Sequence, residues 1–454
     1  MLLRKLRLDN VKCFARKAEV DFMVGKEKHE PPHRWVVVYG DNGLGKSTLL
    51  RAIAVALTGK PALNFLLPSA EGWVRGAHKT ARIAVELTPT DVRSSAEFMP
   101  GAGKKPIAVS WTIAGRRPTM IGGKRVQAGT VTLDERDDWA LFEKYIAPYR
   151  ERQGWLLCGY GAHRRLTGSS SDPGERALDP GRAGAVGTLF HEGAALTSAE
   201  RWLITLDHEA RKSNDDRRLQ AVWKIVNEGL LHGGVSLGDI EPYAVYFKTP
   251  FSDRVAMSDL SDGYKTSLAL ALDLLRHIAY CFDLEKVMKV DEATGAISIE
   301  AEGVVLIDEI DAHLHPQWQR TIGAWLHATF PKLQFIVASH SPLIAERVSQ
   351  HDGMVVRLSR KTLGKGEVVG VECVRTTEQS MTADQSLTGP NFGLRSTRDV
   401  LIDDLRGEIE QLTKQVRAGK ASPRDRKQLR AAQVRFNSEA PIAVPRSAPE
   451  RAAQ

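Results

Sequence analysis

Apolar residues fall on every second position at Leu6 and Leu8 and again at Val20 and Phe22, with charged or polar neighbours beside them. This alternation predicts two half-buried strands near the start of the chain. The period of two returns at Ile83, Val85 and Leu87, and at Ile107, Val109, Trp111 and Ile113, with Gly101 to Pro106 between them as an exposed basic turn. Trp35 to Tyr39, Val304 to Ile307 and Phe335 to Ala338 are continuous apolar runs, as expected of strands covered on both faces. Residues 187–235 carry a helical pattern, and Leu268, Ala271, Leu272, Leu275, Ile278 and Ala279 draw an apolar stripe along a further helix. Thr167 to Gly184, rich in Ser, Gly, Pro and Asp, reads as a mobile loop. Beyond Arg395, the residues Leu401, Leu405, Ile409, Leu412 and Val416 mark an amphipathic helix, with a basic stretch from Lys414 to Arg430 in and after it. From Ala440 onward the chain is expected to be disordered. No heptad repeat persists for three or four heptads before Leu260, which argues against a long coiled coil.

The first apolar run leads directly into Gly40-Asp41-Asn42-Gly43-Leu44-Gly45-Lys46-Ser47, the pattern G-x-x-x-x-G-K-[ST] in a strand-loop-helix context. Glycines there let the backbone turn its N–H groups toward a polyphosphate at the positive end of the following helix. Lys46 reaches the outer phosphates and the Ser47 hydroxyl takes a Mg²⁺ position. The binding candidates are Asn42, Gly43, Gly45, Lys46, Ser47 and Thr48, for ATP with Mg²⁺.

Three further segments follow in order: Leu260-Ser261-Asp262-Gly263 before the striped helix, Asp308-Glu309 at the end of the second apolar run, and His340 at the end of the third. With the phosphate loop they resemble the signature, Walker B and switch-histidine motifs of ABC-type ATPase heads in the SMC, RecF and OLD group. The resemblance covers roughly residues 1 to 400 with gaps. Gly159 to Arg165, Leu260 to Leu275, Leu306 to Gln319 and Asn391 to Leu394 are similar to the stand-alone ATPases of bacterial antiphage systems, among them Septu, retron-associated and PARIS ATPases.

The fold expected is therefore α/β, a P-loop NTPase of ABC-head type with an antiparallel β arm, a helical signature lobe and no long coiled coil. Asp308, at the end of a buried strand, is placed to hold Mg²⁺ opposite Ser47. Glu309 would orient the attacking water and His340 would contact the γ-phosphate. These two and Lys46 are the catalytic candidates. The resemblance implies that Ser261 and Gly263 complete the ATP site of an opposing subunit, in a head-to-tail homodimer or a higher homo-oligomer. Asp311 falls where such heads place an inter-subunit loop. It also implies a sensor or regulator that controls a separate effector, a nuclease. The alternative is a RecF-like repair or recombination ATPase that clamps DNA directly. One feature departs from the family. ABC heads carry a glutamine at the end of the strand that matches Trp155 to Cys158, whereas Gln153 precedes this one. Tyr160 or His163 is left as the candidate for that space, and Arg164 and Arg165 touch phosphate or cap an acidic surface.

Composition adds limits. The chain has 454 residues, 42% hydrophobic and 26% charged, which suits a globular protein with a substantial core. A net charge of +8 makes nucleic acid or another acidic surface a further partner class. No run reaches the ~18 apolar residues of a membrane span. Met1 to Leu8 are too charged for a signal peptide, so a cytoplasmic location is expected. Cys13, Cys158, Cys281 and Cys373 lack zinc or redox spacing and read as reduced core thiols. His313 and His315 lack further ligands at zinc spacing. Arg201 and His208 have the loose spacing of some HEPN ribonucleases but sit in a helix packed by Trp202, Leu203 and Leu206; no H-N-H or Toprim pattern is present. The expected organisation is an N-terminal ATPase lobe over 1–150 and a mobile loop with a helical insertion over 151–260. A C-terminal ATPase lobe over 261–380, a helical extension over 381–436 and a tail over 437–454 complete it.

Overall fold

The computed structural model describes residues 1–27, 30–67, 72–76, 78–89, 106–121, 124–133, 138–146, 154–162, 164, 181–191, 197–346, 353–363, 366–375, 409, 411–416 and 423–439. Two compact units divide the chain, Met1–Ser386 and Leu387–Gln454. The first unit holds the strands β1 (Leu2–Asp9), β2 (Ala18–Asp21), β3 (Trp35–Tyr39), β4 (Thr80–Thr88), β5 (Ile107–Ile121), β6 (Lys124–Leu133) and β7 (Leu156–Tyr160). It continues through β8 (Ser236–Glu241), β9 (Ala244–Thr249), β10 (Ser252–Ala256), β11 (Met288–Val290) and β12 (Ile297–Ile299). Its last strands are β13 (Gly303–Ile307), β14 (Leu333–Ser339), β15 (Gly353–Leu363) and β16 (Gly366–Arg375).

The apolar runs become the centre of a six-stranded sheet in the order β16-β15-β3-β14-β13-β7, parallel throughout except for the β15–β16 hairpin. Alternate residues Val36, Val38, Val304, Leu306, Ile336 and Ala338 belong to one core with the helix Lys46–Thr58. On the other face Trp35 packs at 6.0 Å from Phe335, and Phe330 and Trp325 continue the aromatic cluster. Both faces are covered, which is why these strands carry no polar alternation.

The alternating segments form a second sheet, β2-β1-β4-β5-β6, antiparallel at every pairing. Ile83 pairs with Trp111, Val85 with Val109 and Leu87 with Ile107, so the β arm expected from the period of two is present. The helix Lys46–Thr58 lies between the two sheets, and Trp111 Nε1 donates to the Ala56 carbonyl near its C-terminal end at 3.2 Å. Buried Gln334 ties the sheets by accepting from Leu3 N at 2.7 Å and donating to the carbonyls of Leu3 and His33.

Some expectations are corrected. The loop assigned up to Gly184 gives way to a short helix, Arg182–Val186, in which Arg182 is buried over the Trp155 ring and donates to the Ile146 carbonyl. The region 187–235 does form helices, Thr197–Ser213 and Arg217–Asn227, with Leu203 and Leu206 buried and Arg201 and His208 exposed on the first. The lobe then closes with an unanticipated three-stranded sheet, β8-β9-β10. Leu237, Ile240, Val245 and Phe247 are its buried apolar side chains. Among the described residues the longest helix is the 20-residue Asp262–Cys281, so no long coiled coil is present there.

In the second unit, the basic stretch after the expected amphipathic helix is itself the helix Pro423–Glu439, and residues 411–416 are helical, with Leu412 and Ala432 buried. Leu401, Leu405, the segment Asn391 to Leu394 and the tail from Ala440 lie outside the described residues.

Candidate nucleotide site

Parallel register gathers the candidate residues. Tyr39 pairs with Ser339, Val337 with Ile307 and Ile307 with Tyr160, so four neighbouring strands end in line and their following loops meet. This is the carboxyl edge at which parallel α/β sheets bind ligands.

From β3 the chain passes through the phosphate loop. Gly43 at φ 79° and Gly45 at φ 90° occupy the left-handed region, which glycine adopts without strain. At Gly45 a side chain would also run into Cys13 Sγ and Phe14, so the loop is packed from behind. The helix that follows has no capping side chain and no acid in its first turn, which leaves its N-terminal amides to an anion. Lys46 is 6% exposed and its Nζ donates to the carbonyls of Gly40 at 2.7 Å and Asp41 at 3.1 Å, 3.5 Å from His340 Nδ1. Burial lowers its pKa, while Asp308, Glu309, Asp41 and Asp311 oppose that shift. Ser47 and Thr48 are half-buried, and Asn42 and Gly43 are exposed at the loop surface.

From β13, Asp308 continues the strand, its N–H donating to the Tyr160 carbonyl at 2.8 Å. It is 5% exposed, and its Oδ1 has no hydrogen-bond partner among the described residues. A buried, unpartnered carboxylate oxygen is costly unless a cation takes it, so the donor set fits Mg²⁺. Glu309 adopts φ 45°, the left-handed conformation that costs a residue with a Cβ about 1–2 kcal/mol. Such strain in a residue beside a buried acid marks a held geometry.

From β14, the Ser339 hydroxyl donates to Asp311 at 2.6 Å and accepts from Ser341 N at 2.9 Å. The Ser341 hydroxyl donates to Gln319 Oε1 at 2.6 Å, and Gln319 Nε2 donates to the Leu314 carbonyl at 2.9 Å. The turn that carries Asp311 is thus hydrogen-bonded to the strand end that carries His340. His315 Nδ1 accepts from Gln317 N and caps the helix Pro316–Thr329, a structural use of a residue weighed as a metal ligand.

Ser261 stands exposed at the start of the signature helix Asp262–Cys281 without capping it. Gly263 packs so closely that a Cβ would lie 2.8 Å from the His313 carbonyl, while its own carbonyl accepts from the Ser267 hydroxyl. Among the described residues no hydrogen bond joins Ser261 or Gly263 to the phosphate loop of the same chain. Tyr264 fixes the helix start, donating to the His232 carbonyl at 2.8 Å and meeting Trp318 edge-on at 4.8 Å.

The structure changes the reading of the β7 end. Tyr160 is buried, and burial raises its pKa well above the usual value, with Cys158 and Asp273 beside it adding to the shift. Its phenol belongs to the contact with the signature helix, which corrects its candidacy for the glutamine's space. His163, Arg165 and Gln153 lie outside the described residues. Arg164 emerges instead. It is 5% exposed and donates to the main-chain carbonyls of Gly161 at 3.2 Å, Asp308 at 2.8 Å and Glu309 at 3.0 Å. Burial lowers its pKa to about 10, so it stays charged at neutral pH beside Asp308, Asp311 and Glu309.

Residues 193–346 match the family model described as "AAA domain, putative AbiEii toxin, Type IV TA system", and residues 5–96 match an "AAA domain" model. The chain is 27% identical to Septu protein PtuA of Bacillus mycoides (strain KBAB4) over 75% of its own length and 38% of that protein's. It is 32% identical to the Retron Vc95 probable ATPase of Vibrio cholerae serotype O1 biovar El Tor over 32% of its own length and 27% of that protein's. The matches therefore span less than half of these relatives. Among solved structures, an SMC head bound to the C-winged helix domain of ScpA aligns at TM-score 0.49 and 16% identity, covering 83% of this chain and 98% of that one. The family models and curated relatives support an ATPase that resembles those of antiphage systems, and the sheet and loop described above are an α/β fold of the P-loop type.

Proposed function

We propose that this chain hydrolyses ATP as the sensor and regulatory subunit of a bacterial antiphage defence system and controls a separate effector, a nuclease. The observation that carries the ATPase reading is the meeting of Lys46, Asp308, Glu309 and His340 at one sheet edge, with a carboxylate oxygen of Asp308 left unpartnered. In this reading the amides after Gly45 and the Lys46 ammonium bind the phosphates, and Ser47 with Asp308 holds Mg²⁺. Bound Mg²⁺ would neutralise phosphate charge. Glu309 accepts a proton from the attacking water, and His340 reads the γ-phosphate. Ser261 and Gly263, exposed or half-buried at a helix start, serve the site of a second copy in a head-to-tail homodimer or larger oligomer. The resemblance to Septu and retron ATPases supports the regulatory role and the separate effector.

Purified parent protein should hydrolyse ATP and leave DNA and RNA intact with Mg²⁺ or Mn²⁺. Glu309→Gln should bind ATP but turn over on the order of 100-fold more slowly, because an amide is a poor proton acceptor. Undiminished turnover in Glu309→Gln would remove that role, and cleavage abolished by a mutation in this chain would replace the regulator with a nuclease. The net charge of +8 favours a second reading, a RecF-like clamp on DNA. ATP-dependent DNA retention that weakens steeply with salt would select it.

A further inference from the structure

The geometry points to Arg164 as the positioning residue that sets the direction of the Glu309 side chain, an inference that rests on the ATPase reading above. The carbonyls of Asp308 and Glu309 belong to the two peptide groups on either side of the Glu309 Cα. A peptide group is planar, so fixing both carbonyls fixes φ and ψ of the residue between them. Arg164 Nη1 holds the first at 2.8 Å and Nη2 the second at 3.0 Å. One rigid guanidinium therefore spans the turn, and the left-handed conformation of Glu309 is what it spans.

The rest of the fold delivers Arg164 to this place. A Cβ on Gly159 would collide with Leu189, and one on Gly161 with the Thr188 carbonyl. Thr188 Oγ1 donates to the Gly159 carbonyl at 3.0 Å and accepts from Gly161 N at 3.2 Å. The β7 end is closely packed on that side, and Arg164 beyond it reaches the main chain of the acidic turn. Arg51, on the phosphate-loop helix, donates to the Leu189 carbonyl at 2.6 Å and joins this support to the nucleotide loop. Within ABC-type heads the end of this strand is where a glutamine is expected. Here a cation under the backbone takes up the task of linking the strand end to the acids. The guanidinium faces Asp308, Glu309 and Asp311, and among the described residues none of its hydrogen bonds goes to a carboxylate, so its effect is on backbone geometry as well as charge.

The test uses the full chain with Arg164→Lys and Arg164→Ala, measuring affinity for Mg²⁺ with a non-hydrolysable ATP analogue, kcat and KM. A misplaced general base costs on the order of 100-fold in rate, so Arg164→Ala should lose about that in kcat while analogue affinity and KM stay within about threefold. Arg164→Lys keeps the charge but replaces the rigid planar fork with one compact ammonium on a flexible stem, which holds the two carbonyls less firmly, and should lose about tenfold in kcat with unchanged KM. Millimolar guanidinium should restore part of the Arg164→Ala rate and leave the parent and Arg164→Lys unaffected. Parental kcat in Arg164→Lys would overturn the inference, and so would a loss in Arg164→Ala in which the number of binding-competent sites falls with the rate. Should Arg164→Ala fail to fold, Arg164→Lys carries the test alone. A parent chain without ATP turnover would remove the ATPase reading and this inference together, whereas turnover in the parent with no change in the variants would remove the inference only.

Discussion

Lys46 Nζ and His340 Nδ1 lie 3.5 Å apart although 294 positions separate them in sequence. The approach follows from β3 and β14 being parallel neighbours in register Tyr39 to Ser339, so that the loop after one strand reaches the end of the other. Lys46 also donates to the Gly40 and Asp41 carbonyls, which holds the loop in its open curve. Its ammonium thus ties the loop while it feels the charges of Asp308 and Glu309, which follow β13.

Replacing it removes both functions. Lys46→Ala should weaken binding of a non-hydrolysable ATP analogue with Mg²⁺ by on the order of 100-fold, about the worth of one charge-assisted hydrogen bond at 1.4 kcal/mol per tenfold. Titration calorimetry measures it directly. Equal affinity in mutant and parent would end the phosphate-loop assignment.

Much of the site was legible because its chemistry is local in sequence. The glycine spacing before Lys46 and the paired acids after an apolar strand each report a loop at a strand end, and the sheet register then brings them together. Arg164 was named but its task was not readable, since it acts on the backbone of residues 144 and 145 positions away. No spacing encodes such a contact. The β8–β10 sheet is a different case. Leu237 and Ile240 stand three apart across an irregularity in pairing, and that break hides the period of two that Val245 and Phe247 keep. Tyr160 misled because a tyrosine at a strand end suggests a polar role, whereas burial against the signature helix decides its surroundings.

The exposed position of Ser261 and the lack of a hydrogen bond from it to the phosphate loop of its own chain make a shared site testable. Ser261→Arg should abolish turnover by itself, because a bulky cation would obstruct the approach of a second head. Lys46→Ala should likewise be inactive. Mixing the two chains should not restore a fully competent two-site dimer, but any heterodimer would keep one composite site with a parental Lys46 from one chain and a parental Ser261 from the other. ATPase titration of the mixture should then show one of two outcomes according to whether the remaining site works alone, and either is readable against the single mutants. Parental turnover by Ser261→Arg alone would defeat the trans assignment.

The last prediction concerns a charge cluster within the signature helix, on the face that packs against the strand beside Asp308. Asp273 Oδ1 accepts from Arg276 Nη2 at 2.9 Å, and its Oδ2 faces His277 Nε2 at 3.4 Å, next to Tyr160. Burial alone would raise the Asp273 pKa, but His277 and Arg276 outweigh it and hold the carboxyl well below its ordinary value of 3.8. A carboxylate whose folded pKa is depressed stabilises the fold above the unfolded pKa, and that contribution is lost as pH falls through the folded value. Asp273→Asn breaks the buried pairing and should cost about 3 kcal/mol at pH 7. Urea unfolding of parent and variant should keep this gap constant from pH 7 down to the ordinary carboxylate range, then narrow it as pH drops further and the parent loses its advantage. A gap that widens under acid, or none at pH 7, would show that the Asp273 carboxylate does not stabilise the fold.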